Sequence, residues 1–287
     1  MAIKGLKKNK STLSKAVKWT VFVIFTIYAV TLLYPYVWLV VNSLRSKVEF
    51  FFSPLSWPKK IIFTNYVTIF ERFSLAEMFT NSIILSFCGT LGSVFAGATG
   101  AYVVSKYDFK LKSPIYILAI TLMIIPTTGS IAALYRFMND TGLAGNHIGI
   151  IILYSGGFGF NFFLLYGFFK SVSWSYAEAA MIDGAGHFRT FRQIMLPQAM
   201  PALFAVGIIT FIGLWNDFFT PYLFLSNHPS LAVGIQKLSD EITIGANASD
   251  YPALFAAMML ATIPIIITFA IFQKTIIANT VAGGLKG

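Results

Sequence analysis

A chain of 287 residues with 56% hydrophobic and only 11% charged residues is poorly suited to water, where domains carry roughly a quarter charged residues. Its formal net charge of +10 would fit nucleic acid or a membrane surface, but the basic residues flank apolar blocks, which favours lipid headgroups and argues against nucleic acid. Cys88 is the single cysteine, excluding an intrachain disulfide framework and a cysteine-rich metal site.

Lys4, Lys7, Lys8, Lys10, Lys15 and Lys18 make residues 1–18 a basic tail ahead of the first apolar block, 19–41. That block exceeds the roughly 20 residues with which an α-helix crosses about 30 Å of hydrocarbon. It is also longer than the apolar core of a signal peptide, and Tyr34-Pro35-Tyr36-Val37-Trp38 offers no small-residue cleavage site, so it is expected to remain in the mature protein. After a longer segment, 42–80, further spans are predicted at 81–104, 114–134, 148–169, 202–225 and 252–272.

Six transmembrane helices therefore make an all-α integral membrane protein, because lipid offers backbone groups no partner outside their own helix. Most of the 21 lysines and arginines lie in the tail, at Lys106, Lys110 and Lys112, at Lys170, Arg189 and Arg192, and at Lys274 and Lys286. Retention of short basic segments in the cytoplasm then puts both termini there, including the tail 273–287. The segment 42–80, with Arg45, Lys47, Lys59, Lys60 and Arg72, falls outside, and long segments can cross regardless of charge.

The second span carries small residues, with Gly92, Ala96 and Gly100 four apart beside Gly89 and Gly97. This spacing lets helix backbones approach, within the chain or across a subunit boundary. Pro35, Pro126 and Pro264 lie inside spans, where each removes a donor and tends to kink its helix. His147, His187 and His228 are far apart in the sequence, with no carboxylate or cysteine at ligand spacing, and read as ordinary loop histidines.

Between the fourth and fifth spans, residues 170–201 form a loop long for a mere connection. Ser175-Tyr176-Ala177-Glu178 fits a capping box, which predicts a helix beginning at Ser175. Ala177, Ala179 and Ala180 favour helix and leave a slim surface, and Asp183-Gly184-Ala185-Gly186 supplies glycines for a turn. A second helical stretch runs through Phe191, Ile194 and Leu196 to Pro197. A helix, a turn and a helix lying across the cytoplasmic face follow; the plainer reading is an amphipathic segment resting on headgroups.

These residues, Glu178-Ala179-Ala180, Asp183-Gly184-Ala185, Ile194, Leu196-Pro197 and Pro201, resemble the EAA loop of binding-protein-dependent ABC importers. The likeness extends over almost the whole chain and points to the maltose-type, carbohydrate-importing branch. Pro35, Trp38 and Ser43-Leu44-Arg45 resemble its first span, and Asn65-Tyr66 and Asn81-Ser82 the entry to its second. Ala101-Tyr102 through Lys106-Tyr107-Asp108-Phe109, Trp215-Asn216-Asp217-Phe218, and the tail 282–287 are similar as well. Leu285 departs from the small residue or valine usual in that tail.

The resemblance implies a type I ABC importer transmembrane domain, with a core transport domain at 81–272 in a bacterial or archaeal cytoplasmic (inner) membrane. It implies a cytoplasmic ABC ATPase dimer as partner, a second permease in a heterodimer, and a substrate-binding protein docking on 42–80 and 226–251. Ser175, Glu178, Ala179, Ala180, Asp183, Gly184 and Ala185 would couple to the ATPase. The chain has no Gly-x-x-x-x-Gly-Lys-Ser/Thr phosphate loop, so ATP and Mg would belong to that partner and this subunit would hold neither a cofactor nor a catalytic residue.

Asp217 is the acidic residue well inside a predicted span, and a carboxylate there should face protein or water. With Trp215 and Asn216 it either lines the substrate passage or makes an interhelical bond. An ion-coupled secondary transporter or channel is the competing reading, but it needs coupling charges in the membrane or an inverted repeat. A membrane enzyme would need more than His187 near Asp183.

Overall fold

The computed structural model describes residues 15–125, 127–244 and 250–284. The tail lysines Lys4, Lys7, Lys8 and Lys10, the kink expected at Pro126, and the stretch from Leu285 through Lys286 to Gly287 lie outside them. Every regular element among the described residues is helical.

Helix α1 (Lys15–Ser43) continues through Pro35 and is exposed around its circumference up to Val37, while Asn42 and Ser43 in its last turn are buried. The chain then makes a tied hairpin bearing α2 (Lys47–Phe52) and α3 (Thr64–Arg72). Ser46 starts α2 by accepting the Glu49 N–H at 3.2 Å. Asn65 donates to the carbonyls of Ser43 and Arg45 at 2.6 and 2.8 Å, and the buried Arg45 guanidinium donates to the Ser53 carbonyl.

Helix α4 (Leu75–Lys106) runs through the middle of the molecule. Its small-residue face meets the chain's own α7 (His147–Tyr154) and α8 (Phe160–Ser171), so the close approach forecast for that stripe is used within the subunit. The backbone of Gly157, between α7 and α8, lies against Ser93 O and Gly97 N with no room for a Cβ. Asn161 Nδ2 donates to Ser93 Oγ and Thr210 Oγ1, both at 2.9 Å, tying α8 to α4 and to α11 (Leu196–Trp215).

The third and fourth expected spans are not single helices. The segment predicted at 114–134 divides into α5 (Lys112–Ile124), a 3₁₀ turn (Thr127–Ser130) and α6 (Ile131–Asp140). Ile125 is extended, at φ −71° and ψ 120°, as the residue before a proline is forced to be. The segment predicted at 148–169 breaks between α7 and α8, where Gly159 takes φ +101°. The spans predicted at 19–41, 81–104 and 252–272 fall within helices long and apolar enough to cross a bilayer, α1, α4 and Tyr251–Gln273. The one predicted at 202–225 is shifted: the membrane-length helix is His187–Trp215, and after a break at 216–218 only a short helix follows.

After α8 come α9 (Ser175–Ile182), α10 (His187–Thr190), a π-turn (Phe191–Met195) and α11. The expectation that the second limb of the loop stops near Pro197 is corrected: α10, the π-turn and α11 form one helical rod through Pro197 and Pro201. Pro197 sits in the first turn of α11, where a missing N–H is tolerated, and the π-turn just before it accommodates the changed bonding. Helix α12 (Phe219–Phe224), α13 (Leu231–Ile244) and α14 (Tyr251–Gly284) complete the chain, with Pro264 inside α14.

One apolar core lies where α4, α8 and α11 meet the α9 limb, built on Ala101, Phe162, Phe169, Ala177, Met195 and Ala199. A second joins α3, α13 and α14 near Trp215 at the other end.

Candidate functional site

The 170–201 loop forms a folded elbow. Helix α9 ends in a Schellman motif: Ala185 N–H bonds to Ala180 O at 2.9 Å and Gly184 N–H to Met181 O at 3.0 Å. Gly184 occupies the left-handed position, φ +82°, as expected of a turn glycine. Gly186 does not; at φ −70° and ψ 166° it is the extended residue that starts α10.

The predicted capping box does not form. Trp174, at φ −68° and ψ −22°, is already helical and precedes the first residue of α9. Its indole stands edge-on to Tyr107 at 5.5 Å. Ser175 is thereby drawn into the first turn, and its Oγ pairs with Ser173 Oγ at 2.8 Å. Glu178 is exposed in that first turn, where its negative charge complements the helix dipole.

The alanines divide their roles. Ala177 and Ala180 face the bundle and are buried, whereas Ala179 is exposed. Ser175, Ala179, Ala180, Asp183 and Ala185 line a shallow groove of about 340 Å³ between α9 and the rod, closed on its far side by Arg189 and Gln193. Glu178 and Gly184 stand outside this groove. Ile182 and Phe188, flanking the turn, are 85% and 73% exposed, which puts large apolar groups at the tip of the elbow.

Residues that sequence reasoning left without a role lock the elbow to α4. Tyr107 OH bonds to His187 Nδ1 at 3.0 Å and to Tyr102 OH at 3.2 Å. The Tyr102 ring lies 4.8 Å from Phe191 in the π-turn, and Lys106 Nζ donates to the Val172 carbonyl. The available signal was Lys106-Tyr107 at the end of a span, a cation and an aromatic at the depth of the loop.

At the opposite end a second cluster forms. Asn81 Nδ2 donates to Pro229 O at 3.1 Å, so its Oδ1 accepts from His147 Nε2 at 3.0 Å. Ser82 Oγ accepts from Leu231 N at 2.7 Å. The His147 and His228 rings are 5.5 Å apart, and His228 Nδ1 lies 3.4 Å from Glu77 Oε1. His228 is an exposed loop residue as expected, but His147 begins α7 and the two rings, far apart in the sequence, are neighbours; no group of three metal-ligating side chains occurs among the described residues.

In the Trp215-Asn216-Asp217 stretch, Trp215 is buried and donates Nε1–H to Ala261 O at 3.1 Å. Asp217 Oδ2 accepts from Tyr154 OH at 2.7 Å, and its Oδ1 accepts the N–H groups of Phe219 and Thr220 at 2.9 and 3.2 Å. Asn216 is exposed, its Nδ2 bonded back to Ile212 O at 2.8 Å.

Long apolar helices wrapped around α4 and carrying a folded elbow at one end define a multi-pass α-helical membrane protein. Residues 89–280 match the family model of the binding-protein-dependent transport system inner membrane component, and the chain belongs to that family. It is similar to the diacetylchitobiose uptake system permease protein of Streptomyces coelicolor, at 31% identity over 91% of this chain and 86% of that one. It is also 31% identical to the trehalose/maltose transport system permease protein of Thermococcus litoralis, over 90% and 93% of the two chains. The melibiose/raffinose/stachyose import permease protein of Bacillus subtilis is 31% identical over 88% and 91%. A crystal structure of a bacterial ABC transporter that imports the acidic polysaccharide alginate superposes with a TM-score of 0.80 over 90% of this chain and 96% of that one, at 22% identity. The chain is a transport component.

Proposed function

We propose that this subunit forms half of the passage through an ATP-driven importer that takes up a sugar or oligosaccharide delivered by a substrate-binding protein. The observation carrying the coupling half of this reading is the elbow: a rigid turn at Gly184, apolar groups at its tip, and a second limb continuous with a membrane-length helix. Apolar side chains as exposed as Ile182 and Phe188 at a helix end suit burial in a partner. That partner is a cytoplasmic ABC ATPase dimer, which binds ATP and Mg and whose closure and reopening move the elbow. The elbow end then faces the cytoplasm of a bacterial or archaeal cell, and a second, different permease completes the passage.

The substrate class rests on the saccharides in the names of three relatives. An apolar cleft of about 410 Å³ between α4, α11 and α14 offers only the hydroxyls of Thr90 and Thr268 among aliphatic and aromatic side chains, so it is a poor sugar site. Asn216 is the better passage residue, since Trp215 and Asp217 are engaged in holding helices together.

Purification of the tagged chain in mild detergent tests the proposal. Copurification of an ATPase with a phosphate loop, a second permease and a saccharide-loaded binding protein is expected. Uptake that persists in ATP-depleted vesicles under an ion gradient would overturn it.

A further inference from the structure

We propose that the segment from Phe51 to Phe63 is an interfacial membrane anchor, seated in the headgroup layer beside the end of α1 opposite the elbow. This goes beyond the transport reading and requires only that the chain cross a bilayer.

Depth comes first. At 29 residues and about 1.5 Å per residue, α1 is about 43 Å long, which exceeds the hydrocarbon core and reaches into both headgroup regions. The Phe50 ring of α2 lies 6.1 Å from Trp38, near the end of α1, and 5.3 and 5.7 Å from Phe255 and Tyr251 in the first turn and a half of α14. Helix α2 is therefore packed alongside the terminal turns of two membrane helices, at the depth where hydrocarbon gives way to headgroups.

Composition and presentation then select the occupant. Phe50 turns inward, while Phe51, Phe52, Leu55, Trp57, Ile61 and Phe63 are exposed, Leu55 and Trp57 each by 78%. Lys59 and Lys60 stand exposed among them. Aromatic rings prefer this layer, and ammonium groups pair with lipid phosphates there. The apolar surface also continues that of α1, whose Tyr34, Tyr36 and Val37 are exposed about two turns before its end.

The display is rigid. Arg45 donates to Ser53 O, Lys59 N–H bonds to Glu49 Oε1 at 2.6 Å, and Ile62 N–H bonds to Leu44 O at 2.9 Å. These bonds hold the rings out from the protein. A fixed row of rings and cations at interface depth fits a bilayer surface, and it would set how deeply α1 sits.

The test uses the full complex in which the chain purifies, reconstituted into phosphatidylcholine nanodiscs with and without phosphatidylglycerol. In a Cys88→Ser background, Leu55→Cys carries an environment-sensitive fluorophore, and Phe63→Cys serves as an independent second reporter. Both labels should lose more emission to a spin label on lipid headgroups than to one deep in the acyl chains or to aqueous iodide. Phosphatidylglycerol should strengthen headgroup quenching, and Lys59→Gln with Lys60→Gln should remove that gain. Quenching by iodide alone overturns the proposal, as does shielding from both quenchers by a second membrane subunit. Shielding that appears only when a soluble binding protein is added overturns it too, without touching the transport reading.

Discussion

The phenol of Tyr107 lies 3.0 Å from Nδ1 of His187, joining two residues 80 positions apart. One ends the central helix and the other begins the rod. Because the same ring stands edge-on to Trp174, a single side chain grips both limbs of the elbow.

Tyr107→Phe keeps the ring contacts and removes the hydroxyl bonds, so folding should suffer by only about 1 kcal/mol. Substrate carried per ATP hydrolysed should nevertheless fall, and His187→Ala should reproduce that fall. Transport-to-hydrolysis ratios in proteoliposomes measure it; unchanged ratios in both variants would remove the role given to this bond.

Gly184 has open space where a side chain would go, so its requirement is purely conformational. An L-residue at this φ costs about 1–2 kcal/mol, less for asparagine. Gly184→Asn should preserve uptake best and Gly184→Ala should lower it. Gly184→Pro should abolish it, because proline fixes a negative φ and removes the N–H bonded to Met181 O. Uptake assays at matched expression rank the three.

Two glycines at the α4 contact should behave differently when replaced by alanine. A Cβ at Gly157 meets backbone atoms of Ser93 and Gly97, which cannot yield without moving α4. At Gly92 it meets the Ser155 hydroxyl, which can rotate away, and the Ser155 Cβ, which moves only with its own backbone, but no atom of the facing main chain closer than 3.4 Å. Overpacking costs about 1–3 kcal/mol, and Gly157→Ala belongs at or above the upper end of that range. Thermal unfolding in detergent should show Gly157→Ala clearly less stable than Gly92→Ala.

How much of this was legible depends on the range of the determining contacts. The turn at Gly184 is local chemistry and was readable. The helix begins at Ser175 as expected, but Ser175 as a cap failed because Trp174, packed against Tyr107, takes the cap position. The third and fourth spans looked continuous because hydropathy registers composition, whereas the break at 155–159 is shaped by the close fit of Gly157 to α4. The pairing of His147 with His228 depends on α4 presenting Asn81 and Glu77 between them, which no spacing rule reveals.

Asn81→Ala removes the bonds to Pro229 and from His147 together. These partners are part-buried, so losing both bonds costs about 1 kcal/mol or somewhat more, and the connection around 226–231 should open more readily. Hydrogen exchange across that stretch should accelerate while exchange in the elbow stays unchanged.

Asp217→Asn keeps an Oδ1 acceptor for the start of α12, and its Nδ2 can donate to the Tyr154 hydroxyl instead of accepting from it, so the protein should assemble and transport close to normally. Asp217→Ala loses every one of these bonds, and a lost helix cap alone costs about 0.5–2 kcal/mol. Uptake measured beside melting temperature distinguishes the cases. A dead but fully stable Asp217→Asn protein would instead mean that the charge itself is needed.

From His187 to Trp215 the polypeptide never leaves a helix. At about 1.5 Å per residue, those 29 residues make a strut about 43 Å long with no hinge loop to absorb a displacement. Tilting it by about 5° with its middle held would swing each end by nearly 2 Å in opposite directions, given that length. A push on the turn at one membrane surface would therefore be felt at Asp217 and its partner Tyr154 near the other, as handle and blade of one tool.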